Sequence, residues 1–592
     1  MILVSKTSLI GASAPRGAKP HLLRVLATAA LVAAGASVGS ARESLVVPRP
    51  FEVGTSLSGN FLSAIVAHSE RDTLAASTFF QEAMRGDPRN HELVERALVD
   101  ALANGESANA SALSAKVLSF DRSNAVALLA QAVDALSTHQ YSHSRDLLAR
   151  DAARRDGDIK DVLLTAWAYA GEKKTKRALA TLDRLRGEGY SVLRDYHAAL
   201  IADLGGDKVE AERRFKATVA SDRTVLRLID AYGRFLSGRG DNEGAKRLYR
   251  AFNEAAPNNP LVLSALAQLE EGKTLAPLIA DAQAGAGEAL YVLVSLGNRQ
   301  GDELAALIYL RLALQLAPNN MPATFTLAEI YERLQQEEAA IAVYDSVPEG
   351  SPLRLAADVR AAAMLEKLGK SREAGAHLQS LVEANPQNAE ALTALADLQR
   401  SRKSYAEAAQ TYTQALDLRS KPDKSQWALY YCRGISYERS KNWPKAEADL
   451  KHALELNPDQ PEILNYLGYS WVDQGVNLDE AFRMLRRAVD LDGRNGYVVD
   501  SLGWSYYRLG RYEEAVKELE RAIDLKPADP VINDHLGDAY WRVGRKLEAQ
   551  FQWNHARDLN PEPEDLPKIL DKIKNGLGDN PTIANKDANR GG

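Results

Sequence analysis

The sequence predicts an all-α chain: a right-handed α-solenoid of about 14 stacked helix pairs, closed by a C-terminal capping helix. Three observations predict it. Ala, Leu, Glu and Arg fill most windows, and strand-like alternation of Val, Ile, Thr and aromatics is scarce. Glycines recur in the C-terminal half at Gly434, Gly468, Gly503 and Gly537, spaced 34, 35 and 34 residues apart. The same residue types follow each glycine in phase.

Three residues after each glycine stand Tyr437, Trp471, Tyr506 and Tyr540. Further on come Ala446, Ala481, Ala515 and Ala549, then Leu450, Leu485, Leu519 and Trp553, then Ala453, Ala488, Ala522 and Ala556. Pro458, Pro527 and Pro561 end three of the units, with Asp492 in the fourth. A period near 34 residues is that of the tetratricopeptide repeat (TPR), two helices joined by a turn. The glycine and first alanine lie where the two helices approach, so a larger side chain would push them apart. The aromatic fills the space beside them, the second alanine admits the next pair, and proline stops the second helix.

The pattern weakens upstream but continues in Ala408/Tyr412/Ala415, Leu327-Ala328/Tyr331, Ala306/Leu310/Ala313, Gly233 to Ala245/Tyr249/Phe252, and Ala76/Phe80/Ala83. Segments near 91–120 and 260–285 fit poorly. The expected layout is a signal peptide at 1–41, a leader at 42–54, a divergent array at 55–390 and a regular array at 391–562. A capping helix at 563–578 and a polar tail at 579–592 complete it.

Residues 1–41 hold Lys6, Arg16, Lys19 and Arg24, no acid, and an apolar run from Val25 to Ala36 before Gly39-Ser40-Ala41. These are the parts of a cleavable secretory signal, and the run is short of the ~20 residues that span a bilayer. A mitochondrial transit peptide is the other reading, and the compact apolar core argues against it. Cleavage after Ala41 would send the protein to the periplasm, with no cysteine near the cut to carry a lipid anchor. The formal charge of −6 is the wrong sign for nucleic acid. A single cysteine, Cys432, forms no internal disulfide or thiolate cluster and reads as apolar filler.

Motifs for chemistry fail on context. Gly35-Ala36-Ser37-Val38-Gly39 has the spacing of a nucleophile elbow but lies in the signal segment. Gly369-Lys370-Ser371 ends like a P-loop, yet the first glycine would fall at Met364. His91-Glu92 has no second histidine at zincin spacing, and His139 and His143, four apart on an expected helix face, lack a third ligand. No catalytic residue, cofactor or metal is expected. An enzyme site hidden in the irregular 260–350 stretch is the reading from a different class.

With the Leu-Gly pair as positions 7 and 8 of each repeat, positions 2, 5, 9, 12 and 13 face a concave groove. There stand Tyr431, Glu438 and Arg439; Glu462, Asn465, Tyr469 and Asp473; Tyr497, Asp500, Trp504, Tyr507 and Arg508; and Asp534, Asp538, Trp541 and Arg542. Aromatics and arginines gathered on one face are what protein interfaces use. The alternative is that these rings pack against neighbouring repeats or the C-terminal helix. Paired Lys and Asn side chains that clamp a peptide carboxylate are missing.

Asn465-Tyr466-Leu467-Gly468-Tyr469, Leu478-Asp479-Glu480-Ala481 and the run from Asp500 to Arg511 resemble the large TPR proteins of the Gram-negative envelope. Among these is the TPR lipoprotein adaptor of a periplasmic carboxyl-terminal processing protease. The resemblance implies a scaffold that recruits the protease and its peptidoglycan-hydrolase substrates. The missing lipidated cysteine departs from it. A scaffold for envelope polysaccharide or secretion assembly is the alternative within this class.

Overall fold

The computed structural model describes residues 53–152, 158–297, 302–419 and 424–578. The expected signal peptide, most of the leader and the polar tail lie outside the described residues. The described residues form two compact units, divided between residues 374 and 375.

The first unit begins with six pairs. They are α1 (Leu57–Ser69) and α2 (Thr73–Gly86), α3 (His91–Asn104) and α4 (Ser107–Phe120), α5 (Ala125–Ser137) and α6 (Tyr141–Ala152). Next come α7 (Ile159–Gly171) and α8 (Thr175–Leu182), α9 (Ser191–Leu204) and α10 (Lys208–Ser221), α11 (Leu226–Gly238) and α12 (Asn242–Ala255). A single helix, α13 (Pro260–Glu270), leads to α14 (Ala282–Gly297) and α15 (Glu303–Leu316), α16 (Met321–Arg333) and α17 (Glu337–Asp345), and α18 (Arg354–Lys367). The unit boundary falls within α19 (Ser371–Ala384).

The second unit continues with α20 (Ala389–Ser401) and α21 (Tyr405–Asp417), α22 (Trp427–Arg439) and α23 (Trp443–Leu456), α24 (Pro461–Gln474) and α25 (Leu478–Asp492). It ends with α26 (Gly496–Arg508) and α27 (Tyr512–Leu525), α28 (Pro530–Arg542) and α29 (Lys546–Asp558), and α30 (Leu566–Asn575). Among the described residues thirteen pairs of successive helices pack together, with α13, α18, α19 and α30 outside them. The 91–120 segment is an ordinary pair, whereas 260–285 departs from the repeat.

Local chemistry sets the helix ends. Asn124, Asn495 and Asp529 each cap the helix that follows, their side chains accepting its first free N–H groups. Pro461 and Pro530 occupy first turns, where no N–H is needed. In the last two pairs the chain turns between the helices through one left-handed residue, Gly510 and Gly544.

The groove of the first unit is filled by its own chain. α14 packs against α5, α7 and α9, and α15 against α3 and α5. The inward positions Leu102, Leu129, Val133, Leu136, Leu163, Trp167, Tyr196 and Leu200 are therefore buried. Gly285 of α14 meets the Trp167 ring so closely that a Cβ would collide with it. The Gln283 amide donates to the carbonyls of Leu136 and Ser137 at 3.0 and 2.7 Å, and Arg311 donates to that of Ala103 at 3.4 Å. One polar knot lies inside. Glu288 accepts from Arg227 at 2.8 and 2.5 Å, from the Tyr196 hydroxyl at 2.7 Å and from Asn320 at 3.2 Å.

In the second unit α30 covers the last repeat. Ile569 is buried against it. Lys572 donates to Asp534 and Asp538 at 2.7 and 2.8 Å, and the Trp541 indole donates to the Leu577 carbonyl at 3.1 Å. This is the expected capping helix.

Two substitutions test these attachments. Arg227→Ala leaves Glu288 buried without its countercharge and is expected to cost about 3–5 kcal/mol, read by urea denaturation. Lys572→Ala is expected to speed amide hydrogen exchange in α28 and α29, while exchange in α20–α23 stays unchanged.

Candidate interaction groove

The inward faces of α24, α26 and α28 form the candidate site. Their backbones are placed by pair packing: built Cβ atoms on Gly503 and Gly537 would stand only 2.7 Å from Leu519 and 2.5 Å from Trp553. With the second helix held so close, the opposite side of each first helix faces inward.

The structure brings Tyr469, Asp500, Trp504, Tyr507 and Arg508 together, with Asp473. Trp504 is the centre. Its ring stacks on Tyr507 at 4.7 Å and on His535 at 4.0 Å, both nearly parallel. His535 Nδ1 donates to Asp500 at 3.0 Å. Arg508 donates to the Asp473 carboxylate and carbonyl, both at 3.1 Å, and Arg542 donates to the Tyr507 hydroxyl at 3.4 Å. Burial first, then Asp500, Asp473 and Asp565, push the Tyr469 phenol up, with Arg508 acting against them. Tyr469, Trp504 and Tyr507 are half-buried, neither sealed in the core nor fully in water.

At several inward positions the rings pack within the chain, the alternative named above. Trp504 has two rings stacked on it, and its N–H is enclosed. Asp534, Asp538 and Trp541 are held by α30. Tyr497 sits apart under the Lys526 ammonium, 4.1 Å from its ring centre. Tyr431 packs edge-on against Tyr466 at 5.9 Å. Sequence reasoning missed His535 and Lys572. The signal was an aspartate on one first helix and a basic residue on the next one in line.

Asn465 Oδ1, Trp504 Nε1 and Asp534 Oδ1 are enclosed without a hydrogen-bond partner among the described residues. Each such group costs roughly 1–3 kcal/mol. They stand on three successive first helices.

Other candidate chemistry finds no support in the geometry. His139 lies in the turn before α6 with φ of 63°, so it shares no helix face with His143. Among the described residues no group of three or more His, Cys, Asp or Glu side chains is placed to hold a metal. The Cys432 thiol is half-buried and pushed up to about 11, chiefly by burial. A cleft of about 480 Å³ lies in the irregular stretch, between α11, α13 and the turn before α16. Its lining contains neither histidine nor cysteine, and Arg227 and Arg234 there are paired with Glu288 and Asp230.

His535 gives the groove a pH dependence. Burial disfavours its charge, but Asp500, by attraction and hydrogen bond, more than offsets this and raises it above the ordinary 6.5. A raised folded value means the stabilisation is full below about 6.5 and is lost as pH rises through the folded value. Stability of the second unit is expected to fall as pH rises from 6 through that value, and His535→Gln to flatten the slope, both followed by thermal denaturation.

Comparisons with known proteins agree with the repeat reading. Residues 503–544 match the family described as TPR repeat, and residues 362–424 and 427–460 match families described as tetratricopeptide repeat. A TPR repeat-containing protein of Pseudomonas aeruginosa is 27% identical over 197 residues, covering 32% of this chain and 31% of that protein. The match thus spans about a third of that relative's length. Among solved structures, the APC/C hetero-tetramer Cut9-Hcn1 is 15% identical with a TM-score of 0.38, covering 88% of this chain and 97% of that one. A tetratricopeptide repeat protein from Parabacteroides merdae is 18% identical with a TM-score of 0.36, covering 43% and 98%. MamA is 22% identical with a TM-score of 0.24, covering 28% and 94%. These superpositions are loose, and nothing about function follows from them. No helix among the described residues is long and apolar enough to cross a membrane. With its helix pairs in phase, the chain is an all-α solenoid, and its residues 362–424, 427–460 and 503–544 match tetratricopeptide-repeat families.

Proposed function

We propose that this protein is a non-enzymatic scaffold of the Gram-negative periplasm, exported by its N-terminal signal, that docks other proteins on the groove of its second unit. One observation carries the reading. The first unit's inward face is covered by α14 and α15, whereas the α24–α26 face presents half-buried aromatics and unpartnered polar atoms. Half-buried rings beside paired charges have the composition of an interface hot spot. The resemblance across residues 465–511 supports a narrower version, an adaptor that recruits a carboxyl-terminal processing protease and peptidoglycan hydrolases.

Affinity capture from envelope extract, quantified by mass spectrometry, tests it. The combined Tyr469→Ala and Arg508→Glu variant alters the groove at residues outside the Trp504 stack. It is expected to recover at least about tenfold less of the partners that the unaltered protein enriches, as for the loss of a hot spot. Equal recovery by both proteins sinks the groove assignment, and turnover of a substrate by the purified protein without partners sinks the scaffold reading.

A further inference from the structure

Besides the cleft in its irregular stretch, the first unit has an opening between two second helices. A cleft of about 640 Å³ lies between α10 and α12, with α11 as its floor. Counting Gly233 as position 8, the floor residues Ile229, Tyr232 and Leu236 are positions 4, 7 and 11, and none of these is an inward position. The cleft is therefore no part of the repeat groove.

It opens where the core of the unit divides. Phe215, Leu228 and Phe235 pack in the large cluster that includes residues of α14 and α15, whereas Val219, Ile229, Leu236 and Phe252 pack in a separate one with Tyr249. Tyr232 lies against both and stacks on Phe215 at 5.8 Å. The seam keeps an apolar floor, with the half-buried Leu248 in its wall. That wall runs along α12 from Gly244 to Ala255, about 16 Å at the helical rise. The volume is that of a small-molecule site.

Charge selects the ligand. The acids lining the cleft are used within the chain: Glu212 pairs with Lys216 at 2.7 Å and with Arg239, and Asp241 caps α12, accepting from the Gly244 N–H at 2.8 Å. Glu243, one turn before Arg247, pairs with Lys246 at 2.9 Å. Arg223 and Arg247 also line the cleft, are exposed, and make no hydrogen bond or ion pair among the described residues. A neutral chain would gain nothing from these guanidinium groups, and a bare anion nothing from the floor. Arginine matches the geometry of a carboxylate. We infer that this cleft binds a small amphipathic carboxylate, its apolar chain laid on Ile229, Leu236 and Phe252 and its head taken by Arg223 and Arg247. The site is separate from the second unit's groove, so it stands or falls independently of the scaffold reading.

The probe is decanoate, titrated calorimetrically into the full chain below its aggregation concentration. Saturable binding is expected. Octanoate, two methylenes shorter, is expected to bind about tenfold more weakly, and acetate not to bind. Decanol has the same chain without the charge and is expected to bind at least about tenfold more weakly than decanoate. Arg223→Gln combined with Arg247→Gln is expected to weaken decanoate binding about tenfold and to leave decanol unaffected. Ala251→Trp, at an exposed position of the α12 wall, puts a ring in the cleft while keeping both arginines, and is expected to abolish binding of both probes. All three substituted positions are exposed, and unchanged thermal midpoints are expected alongside. The inference is overturned if decanoate does not bind, if acetate or decanol binds as tightly, or if either variant binds decanoate as tightly as the unaltered protein. Undiminished binding by Ala251→Trp would place the chain on another apolar surface, such as the exposed Leu62 and Val66 of α1.

Discussion

In the last four repeats the first helix meets the second at a residue with no side chain. The Leu450, Leu485, Leu519 and Trp553 side chains press on Gly434, Gly468, Gly503 and Gly537, so that even a Cβ there would be crowded. That approach fixes which side of the first helix is spent on pairing, and by exclusion which side turns inward. Stacking follows, because a single pair leaves its other apolar face in water until the next pair covers it. The groove is a consequence of the approach, not an independent feature, so the residues at inward positions are not needed for pairing and can diverge.

They have diverged in opposite directions in the two units. Along α3, α5, α7 and α9 the inward side chains include Leu102, Leu129, Val133, Leu136, Leu163, Trp167 and Leu200. A face of that composition left in water would be a large apolar patch, and α14 and α15 cover it. In α24, α26 and α28 the same positions hold Asn465, Tyr469, Asp500, Trp504, Tyr507, Asp534 and Asp538. Such a face tolerates water, and it keeps hydrogen-bonding groups that the chain itself leaves unsatisfied. One repeat geometry thus yields a closed core in one unit and a half-buried face of rings and polar groups in the other.

The repeat was legible because it is local. The glycine and alanine spacing encodes contacts within 20 residues, and these match the observed pairs. The filling of the first groove was not legible, because Gln283 reaches Leu136 across 147 residues and no short-range pattern announces such a contact. The apolar run of inward positions from Leu102 to Leu200 was the available sign. It differs from the inward residues downstream by composition alone. The site was legible in part. The spacing put Tyr469, Asp500, Trp504, Tyr507 and Arg508 on one face and left open whether the inward rings pack within the chain. It gave no sign of His535 stacking on Trp504 or of Lys572 of α30 taking Asp534 and Asp538.

Those two contacts narrow what the groove can do. Trp504 is stacked on Tyr507 and His535 and its N–H is enclosed, so in this arrangement it offers a ligand little. A last repeat held by Lys572 has its carboxylates already matched and gives a basic ligand little to gain. What survives for contact is the half-buried rings of Tyr469 and Tyr507. In the first unit, by contrast, residues 273–277 lie against α11 through one carbonyl, one N–H and one buried leucine.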